Sequence, residues 1–161
     1  MPSRNILNAP PTGRWLGLDV GSVRVGVAIS DTNRTTALPK PPLPRTWKQL
    51  KPALETIVKT YQISTIILGY PLNMDGTESK GTQSVTDLAL LIEKDLKLPT
   101  FLIDERLTSH QAEQAFFEQR DPKTRQTRAS KKQSIGKIDS PAATLILQQA
   151  IATCNSKTLT P

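Results

Sequence analysis

The sequence predicts an α/β fold in which a mixed sheet carries helices on its faces. An apolar run at residues 15–20 is followed, after a glycine turn, by residues 23–29, where valine and isoleucine alternate with other residues. Short β-branched runs then alternate with helical patterns along the chain. A strand meander followed by alternating strands and helices is typical of a mixed sheet. The 161 residues are enough for one domain with a sizeable core.

The first three predicted strands form a meander. Residues 15–20 and 23–29 are separated only by Gly21-Ser22, which predicts a hairpin and hence an antiparallel pair. A third strand is expected over residues 35–43. It contains prolines, which lack the N–H that a central strand needs, so it is predicted to lie at an edge. These prolines, with the one that follows the strand, are Pro39, Pro41, Pro42 and Pro44.

Strands and helices alternate in the middle of the chain. Residues 47–61 carry apolar side chains three or four positions apart, which predicts a helix. Strands are expected at 65–68 and 100–104, with a helix over 85–96 between them. Residues 69–76 are predicted to form a loop.

Two further helices are expected after residue 104. Thr108 and Gln111 form a capping box that is typical of a helix start, and this helix would end at Phe117. Ser140 suits an N-cap and Pro141 suits a first helical turn, so the last helix would run to about Thr153. The predicted order is βββαβαβαα, in one domain over residues 14–154. A flexible arm (1–13) precedes it and a tail (155–161) follows.

Charge indicates an anionic partner. The chain has 21 Lys and Arg against 14 Asp and Glu, a net charge of +7. From residue 120 to 138 there are seven basic residues and one acid, so most of the net charge is local. A basic loop over 120–137 is therefore expected to bind phosphates. Its candidate residues are Lys123, Arg125, Arg128, Lys131, Lys132 and Lys137.

Several features favour a cytoplasmic protein. Cys154 is the only cysteine, so an internal disulfide is impossible and a reducing compartment fits. No apolar run approaches the roughly 20 residues of a membrane span. The first residues lack the apolar segment of a signal peptide.

Three carboxylates predict a metal site. Asp19 and Glu105 end apolar runs, and Asp139 directly precedes the last helical pattern. Taken singly, each has a plainer explanation: a solvated turn, a surface salt bridge or a helix start. Together, acids at the ends of three apolar elements are costly unless they are paired or bind a cation. Asp104 is a possible fourth ligand, and Arg106 would contact a phosphate or pair with an acid.

Such a site suits phosphodiester hydrolysis. Two Mg²⁺ or Mn²⁺ ions about 3.5–4 Å apart would activate a water molecule and stabilise the leaving oxygen. Hard divalent cations prefer oxygen ligands, so several carboxylates must converge. Asn73, in the predicted loop, could contact substrate, although asparagine there is more often a turn former.

Four segments together resemble the YqgF/RuvX family: residues 17–28, 69–77, 104–108 and 138–143. The resemblance implies an RNase H-like fold with three antiparallel and two parallel strands. It implies a nuclease, described both as a Holliday junction resolvase and as the nuclease that matures the 5′ end of 16S ribosomal RNA precursors. The family's acidic positions fall on Asp19, Glu105 and Asp139. Arg24 lies in the first segment and joins Asn73 and Arg106 as a nucleic-acid-binding candidate.

The leading hypothesis is a metal-dependent endonuclease that acts on structured RNA in ribosome maturation. Resolution of DNA junctions uses the same chemistry but cuts two strands symmetrically, so it favours a two-fold dimer. A non-catalytic nucleic-acid-binding module would need the basic charge but not the three acids. ATP hydrolysis of the actin-like kind is disfavoured, because the chain has one Asp-x-Gly hairpin and room for one domain. The choice of RNA or DNA, the metal and the oligomeric state stay open.

Overall fold

The computed structural model describes residues 9–10, 12–71, 80–104 and 141–158. Five strands and three helices lie in these ranges. In chain order they are β1 (Arg14–Val20), β2 (Arg24–Ser30), β3 (Ala37–Pro44), α1 (Trp47–Tyr61), β4 (Ile63–Tyr70), α2 (Lys80–Leu96), β5 (Thr100–Asp104) and α3 (Pro141–Thr158). Of these helices, none combines the length and apolar character that a membrane crossing requires.

The strands form one mixed sheet in the order β3-β2-β1-β4-β5. The β1–β2 and β2–β3 pairs are antiparallel, whereas β4 is parallel to both β1 and β5. The predicted sheet of three antiparallel and two parallel strands is therefore confirmed. The proline-containing strand lies at an edge, as its missing N–H groups require.

The strand directions bring several chain segments to one end of the sheet. Strands β1, β4 and β5 are parallel, so their last residues Val20, Tyr70 and Asp104 lie at the same end. The turn between β1 and β2 lies there too. We call this the carboxyl end of the sheet, and the opposite end the amino end. Ligands of open α/β sheets usually bind outside the carboxyl ends of the strands.

Helices cover both faces of the sheet. On one face, Leu16 and Leu18 of β1 belong to a core cluster with residues of α1 and α2. On the other, Trp15 belongs to a cluster with residues of α3. Successive side chains of a strand point to opposite faces, so odd-numbered residues of β1 lie on the α3 face. The α3 residues of this cluster are Ala143, Ile146, Leu147, Ala150 and Ile151.

A glycine lets α3 approach the central strand. A Cβ atom at Gly17 would lie 2.8 Å from the Cβ of Leu147 and 3.1 Å from the carbonyl oxygen of Ala143. Any larger residue would push the first two turns of α3 away from β1. Asp19 is two positions further along the same face, so α3 begins close to the carboxyl end of β1.

Three elements are longer than the sequence predicts by at least two residues at one end, while the ends of β1, β2 and β3 shift by one or two residues. Strand β4 extends over residues 63–70 because Gly69 and Tyr70, expected in a loop, pair with β5. Helix α2 begins at Lys80 rather than Val85, since its first turn is polar and lacks the apolar spacing used to place it. Helix α3 continues to Thr158 rather than Thr153 and takes in part of the expected tail, because residues 154–158 contain no proline or glycine to stop it.

Other expectations fall on residues that the structure does not describe. Most of the N-terminal arm, the helix over 108–117, the basic loop over 120–137 and the Ser140 cap are among these. The bounds predicted for α1 and β5 are confirmed.

Candidate active site

The structure describes three of the predicted site residues: Asp19, Arg24 and Asp104. They lie on three different strands, and all three are at the carboxyl end of the sheet. The remaining candidates lie outside the described residues. They are Asn73, Glu105, Arg106, Lys123, Arg125, Arg128, Lys131, Lys132, Lys137 and Asp139.

Asp19 occupies the end of the central strand. Its neighbours Leu18 and Val20 pack into the core beneath α1 and α2, so the alternation of β1 directs Asp19 to the α3 face. Its partner across the β1–β2 ladder is Gly26, which has no side chain to cover the carboxylate. The same strand thus anchors Asp19 in the core and leaves its carboxylate half-buried.

Burial makes the charged form of Asp19 unfavourable. Loss of solvent raises the pKa of its carboxyl above the usual value of 3.8. Within the described part of the chain, no hydrogen bond or ion pair to this carboxylate offsets the loss. A bound cation would compensate a desolvated carboxylate strongly, and carboxylate oxygen is the donor that hard divalent ions prefer. Asp19 therefore fits a divalent metal ligand.

The described residues do not by themselves complete a metal site. No group of three His, Cys, Asp or Glu side chains that could hold an ion occurs within residues 9–10, 12–71, 80–104 and 141–158. Two of the three predicted ligands, Glu105 and Asp139, lie outside these ranges. Asp19 is the member of the set that the structure describes.

Arg24 places a cation beside Asp19 without neutralising it. It is the first residue of β2, two positions from Gly26, and it shares the α3 face with Ala28. Diagonal neighbours on one face of an antiparallel pair are about 7–8 Å apart. No ion pair joins these two described residues, and the Arg24 side chain is exposed. The guanidinium is thus available to an anion that approaches the Asp19 carboxylate.

Asp104 lies on the other face of the sheet. In β5, Phe101 and Ile103 pack into the cluster beneath α3, whereas Leu102 packs into the cluster beneath α1 and α2. By alternation Asp104 falls on the face of α1 and α2, opposite Asp19. The sequence left the role of Asp104 open, and this geometry separates it from Asp19.

A second arginine at the carboxyl end of the sheet, Arg45, belongs to no motif identified in the sequence. The backbone N–H of Arg45 donates to the carbonyl of Val23 at 3.2 Å, and its Nη2 donates to the hydroxyl of Ser84 at 2.9 Å. Arg45 thus connects the β1–β2 turn to α2. Sequence reasoning missed it because an isolated arginine after a proline-containing strand has many ordinary explanations, and its two partners are far away in the chain.

Comparison with known proteins identifies the chain's relatives. The family described as "RuvX: Holliday junction resolvase" matches residues 13–153. A protein of Desulfitobacterium hafniense is 36% identical over 135 residues, which cover 84% of this chain and 89% of the relative. One of Novosphingobium aromaticivorans is 40% identical over 140 residues, covering 86% and 84%. One of Pelagibacter ubique is 42% identical over 97 residues, covering 60% and 64%. Each of these three proteins is provisionally named a pre-16S rRNA nuclease.

A solved structure shares the fold. The T. thermophilus RuvC chain in complex with a Holliday junction substrate superposes with a TM-score of 0.51 and 9% identity, covering 92% of this chain and 97% of that one. This likeness concerns the fold, and it agrees with the RNase H-like sheet described above. The family match over residues 13–153, together with 36% identity to a relative of which 89% is covered, shows that the chain belongs to the RuvX family of nucleases.

Proposed function

We propose that this protein is a metal-dependent endonuclease that cleaves phosphodiester bonds in structured nucleic acid, with precursor 16S ribosomal RNA as its substrate. The proposal rests on the position of Asp19. Its carboxylate is half-buried at the carboxyl end of the central strand, and no basic side chain among the described residues forms an ion pair with it. Membership of a nuclease family and an exposed arginine on the same face support it.

We assign Asp19, Glu105 and Asp139 as ligands of Mg²⁺ or Mn²⁺. The odd-numbered residues of β5 lie on the α3 face, so the alternation favours Glu105 over Asp104 as the companion of Asp19. The close contact of Gly17 with Ala143 brings the start of α3 near Asp19, and Asp139 precedes that helix by two residues. These relations explain how three acids that are distant in sequence would converge.

A divalent cation held there would lower the pKa of a bound water molecule and stabilise charge on the leaving oxygen. The protein's own residues would supply the rest. Asp19 orients and holds the cation from a rigid strand, while Arg24 binds a phosphate oxygen of the substrate. The packed sheet beneath them limits movement, which matters because catalytic groups must stay in a productive geometry.

The substrate assignment follows the relatives and the charge. Proteins that are 36–42% identical to this chain carry the provisional pre-16S rRNA nuclease name. The net charge of +7 suits a polyanion. We propose that Asn73, Arg106 and the basic residues of 120–137 hold the RNA backbone, in a single domain over 14–154 that works in the cytoplasm.

Resolution of Holliday junctions is the second candidate. The family's description as a Holliday junction resolvase favours it. Because a resolvase makes paired symmetric cuts, this candidate requires two copies of the chain related by a two-fold axis. A monomer in solution on sedimentation or scattering would favour the ribosomal RNA.

The test is cleavage of two labelled substrates, a precursor ribosomal RNA fragment and a four-way DNA junction. Each is incubated with Mg²⁺, with Mn²⁺ and with EDTA, using wild type, Asp19→Asn and Asp31→Asn. Asp31 follows the last residue of β2 at the amino end of the sheet, so its variant makes the same charge change away from the site.

The outcomes separate the candidates. Metal-dependent cleavage of the RNA that is lost in Asp19→Asn and kept in Asp31→Asn is the expected result. Paired nicks in the junction, without cleavage of the RNA, would instead support the Holliday junction resolvase. Binding of nucleic acid without cleavage under any condition would contradict both and leave a non-catalytic binding module.

A further inference from the structure

The tip of the β1–β2 hairpin carries an apolar side chain into solvent beside Asp19. We propose that this tip, Ser22 to Arg24, is a contact for the substrate strand, and that Arg45 is the residue that positions it. Val23 would pack on a nucleobase and Arg24 would bind the adjacent phosphate. The inference rests on the proposed nuclease function and adds a specific strand-binding element to it.

The turn is tightly built. The N–H of Gly21 donates to the carbonyl of Arg24 at 2.9 Å, and a Cβ atom on Gly21 would lie 2.8 Å from that same carbonyl oxygen. Val23 is 74% exposed, more than any other large apolar side chain in the described part of the chain. Polar residues normally occupy such turns, and packing within the described fold does not account for a valine there.

Arg45 holds the tip in place from outside the hairpin. Its N–H bonds to the Val23 carbonyl, and its side chain bonds to Ser84 in the first turns of α2. The tip is thus connected to an element that packs against the sheet through Val85 and Leu88. This connection would restrict the movement of Val23 and Arg24 relative to Asp19.

The spacing suits a nucleic-acid strand. Arg24 lies on the face of Asp19, one diagonal step away in the ladder. That step is about 7–8 Å, which is of the same order as the distance between neighbouring phosphates of an extended strand. A strand whose phosphate reaches Asp19 would therefore bring its next phosphate to Arg24.

The electrostatics point the same way. Arg24 is exposed and makes no ion pair with Asp19, the described acid on its face of the hairpin. Arginine binds phosphate through its fixed fork of N–H donors, and no described residue forms an ion pair with Arg24. Val23 then contributes an apolar contact that does not depend on salt, so the two residues can be distinguished by experiment.

Binding is measured in the Asp19→Asn background with EDTA, so that the result does not depend on cleavage. The probe is a labelled precursor ribosomal RNA fragment, titrated over a range of salt concentrations. Four variants are compared: Arg24→Gln, Val23→Thr, Ser84→Ala and Ser84→Thr. The matched control is Lys59→Gln, because Lys59 is exposed in the last turn of α1, towards the amino end of the sheet.

We expect Arg24→Gln to weaken binding on the order of tenfold and to reduce the slope of log K against log salt by about 0.7–0.9. Val23→Thr keeps the shape of the side chain and should weaken binding about two- to fivefold without changing the slope. Ser84→Ala removes the bond from Arg45 and should weaken binding without changing the net charge. Ser84→Thr keeps the hydroxyl and should bind RNA with the affinity of the parent protein.

An Arg24→Gln slope equal to that of the Asp19→Asn parent or of the Lys59→Gln control would overturn the strand contact. Equal affinity of Ser84→Ala and Ser84→Thr would overturn the positioning role of Arg45. If Arg24→Gln behaves as expected but wild type cleaves nothing, the hairpin contact stands and the proposed nuclease function fails. Absence of any RNA binding by wild type would overturn both.

Discussion

Replacement of Gly17 by alanine tests how closely α3 approaches the central strand. The added Cβ atom would lie 2.8 Å from the Leu147 Cβ, whereas ordinary contacts are 3.4–4 Å. Helix α3 must therefore move by roughly 0.6 Å, the difference between 2.8 and 3.4 Å. Overpacking of this kind costs about 1–3 kcal/mol. For a chain of this size that corresponds to a fall in Tm of about 2–12 °C.

The sign of the effect is informative. Without a clash, a change from glycine to alanine in a strand stabilises a protein by about 0.4–1 kcal/mol, because it restricts the unfolded chain. Thermal and urea unfolding of the variant are measured together with RNA cleavage. We expect cleavage to fall more than stability predicts, since the displaced helix begins beside Asp19. A Tm equal to or above that of wild type would refute the reasoning.

A matched control is provided by Ala28, the buried register partner of Gly17 on the same face. The double variant Gly17→Ala/Ala28→Gly restores the total side-chain volume. We expect it to be less stable than Ala28→Gly alone, because the clash depends on position 17. Recovery of wild-type stability by the double variant would show that only volume matters.

Two further predictions concern pH. Burial raises the pKa of Asp19, so ionisation of this carboxyl lowers the stability of the folded protein as the pH rises above 3.8. Without metal, Asp19→Asn should therefore melt at or above the wild-type Tm near neutral pH, and the difference should vanish below about pH 3. A large fall in the Tm of Asp19→Asn at pH 7 would contradict this. The pKa of Asp31 is lowered to about 2 by hydrogen bonds from the N–H of Thr36 and from the hydroxyl and N–H of Thr35. Asp31→Asn should therefore reduce the free energy of unfolding by up to about 1 kcal/mol above pH 4, and by less as the pH falls toward 2. A loss independent of pH would show that the charge of Asp31 is not involved.

Much of the fold follows from local chemistry. The prolines of β3 remove N–H donors, which excludes a central position whatever the rest of the chain does. The Gly21-Ser22 turn leaves too short a connection for anything but an antiparallel pair. Apolar spacing in α1 is long and regular enough to define both of its ends. The position of Asp19 at the end of the central strand was also predictable, because an acid at the end of an apolar run is an exception to the pattern.

Other features depend on partners that are distant in the chain. The ends of β4 and α2 differ from prediction because pairing and packing, rather than apolar spacing, decide them. Arg45 shows the same principle at the site, since its two bonds reach partners 22 and 39 positions away. No local pattern records such contacts.

The sequence by itself determined the elements that the structure describes, their order, and the positions of Asp19 and Asp104 near the ends of two strands. Only the tertiary structure decided which face of the sheet Asp19 and Asp104 occupy. The sequence left open whether Asp104 joins Asp19, but the pairing of β1, β4 and β5 and the side on which α3 packs separate the two. The physical reason is that alternation assigns side chains to two faces, while long-range packing determines which face is which.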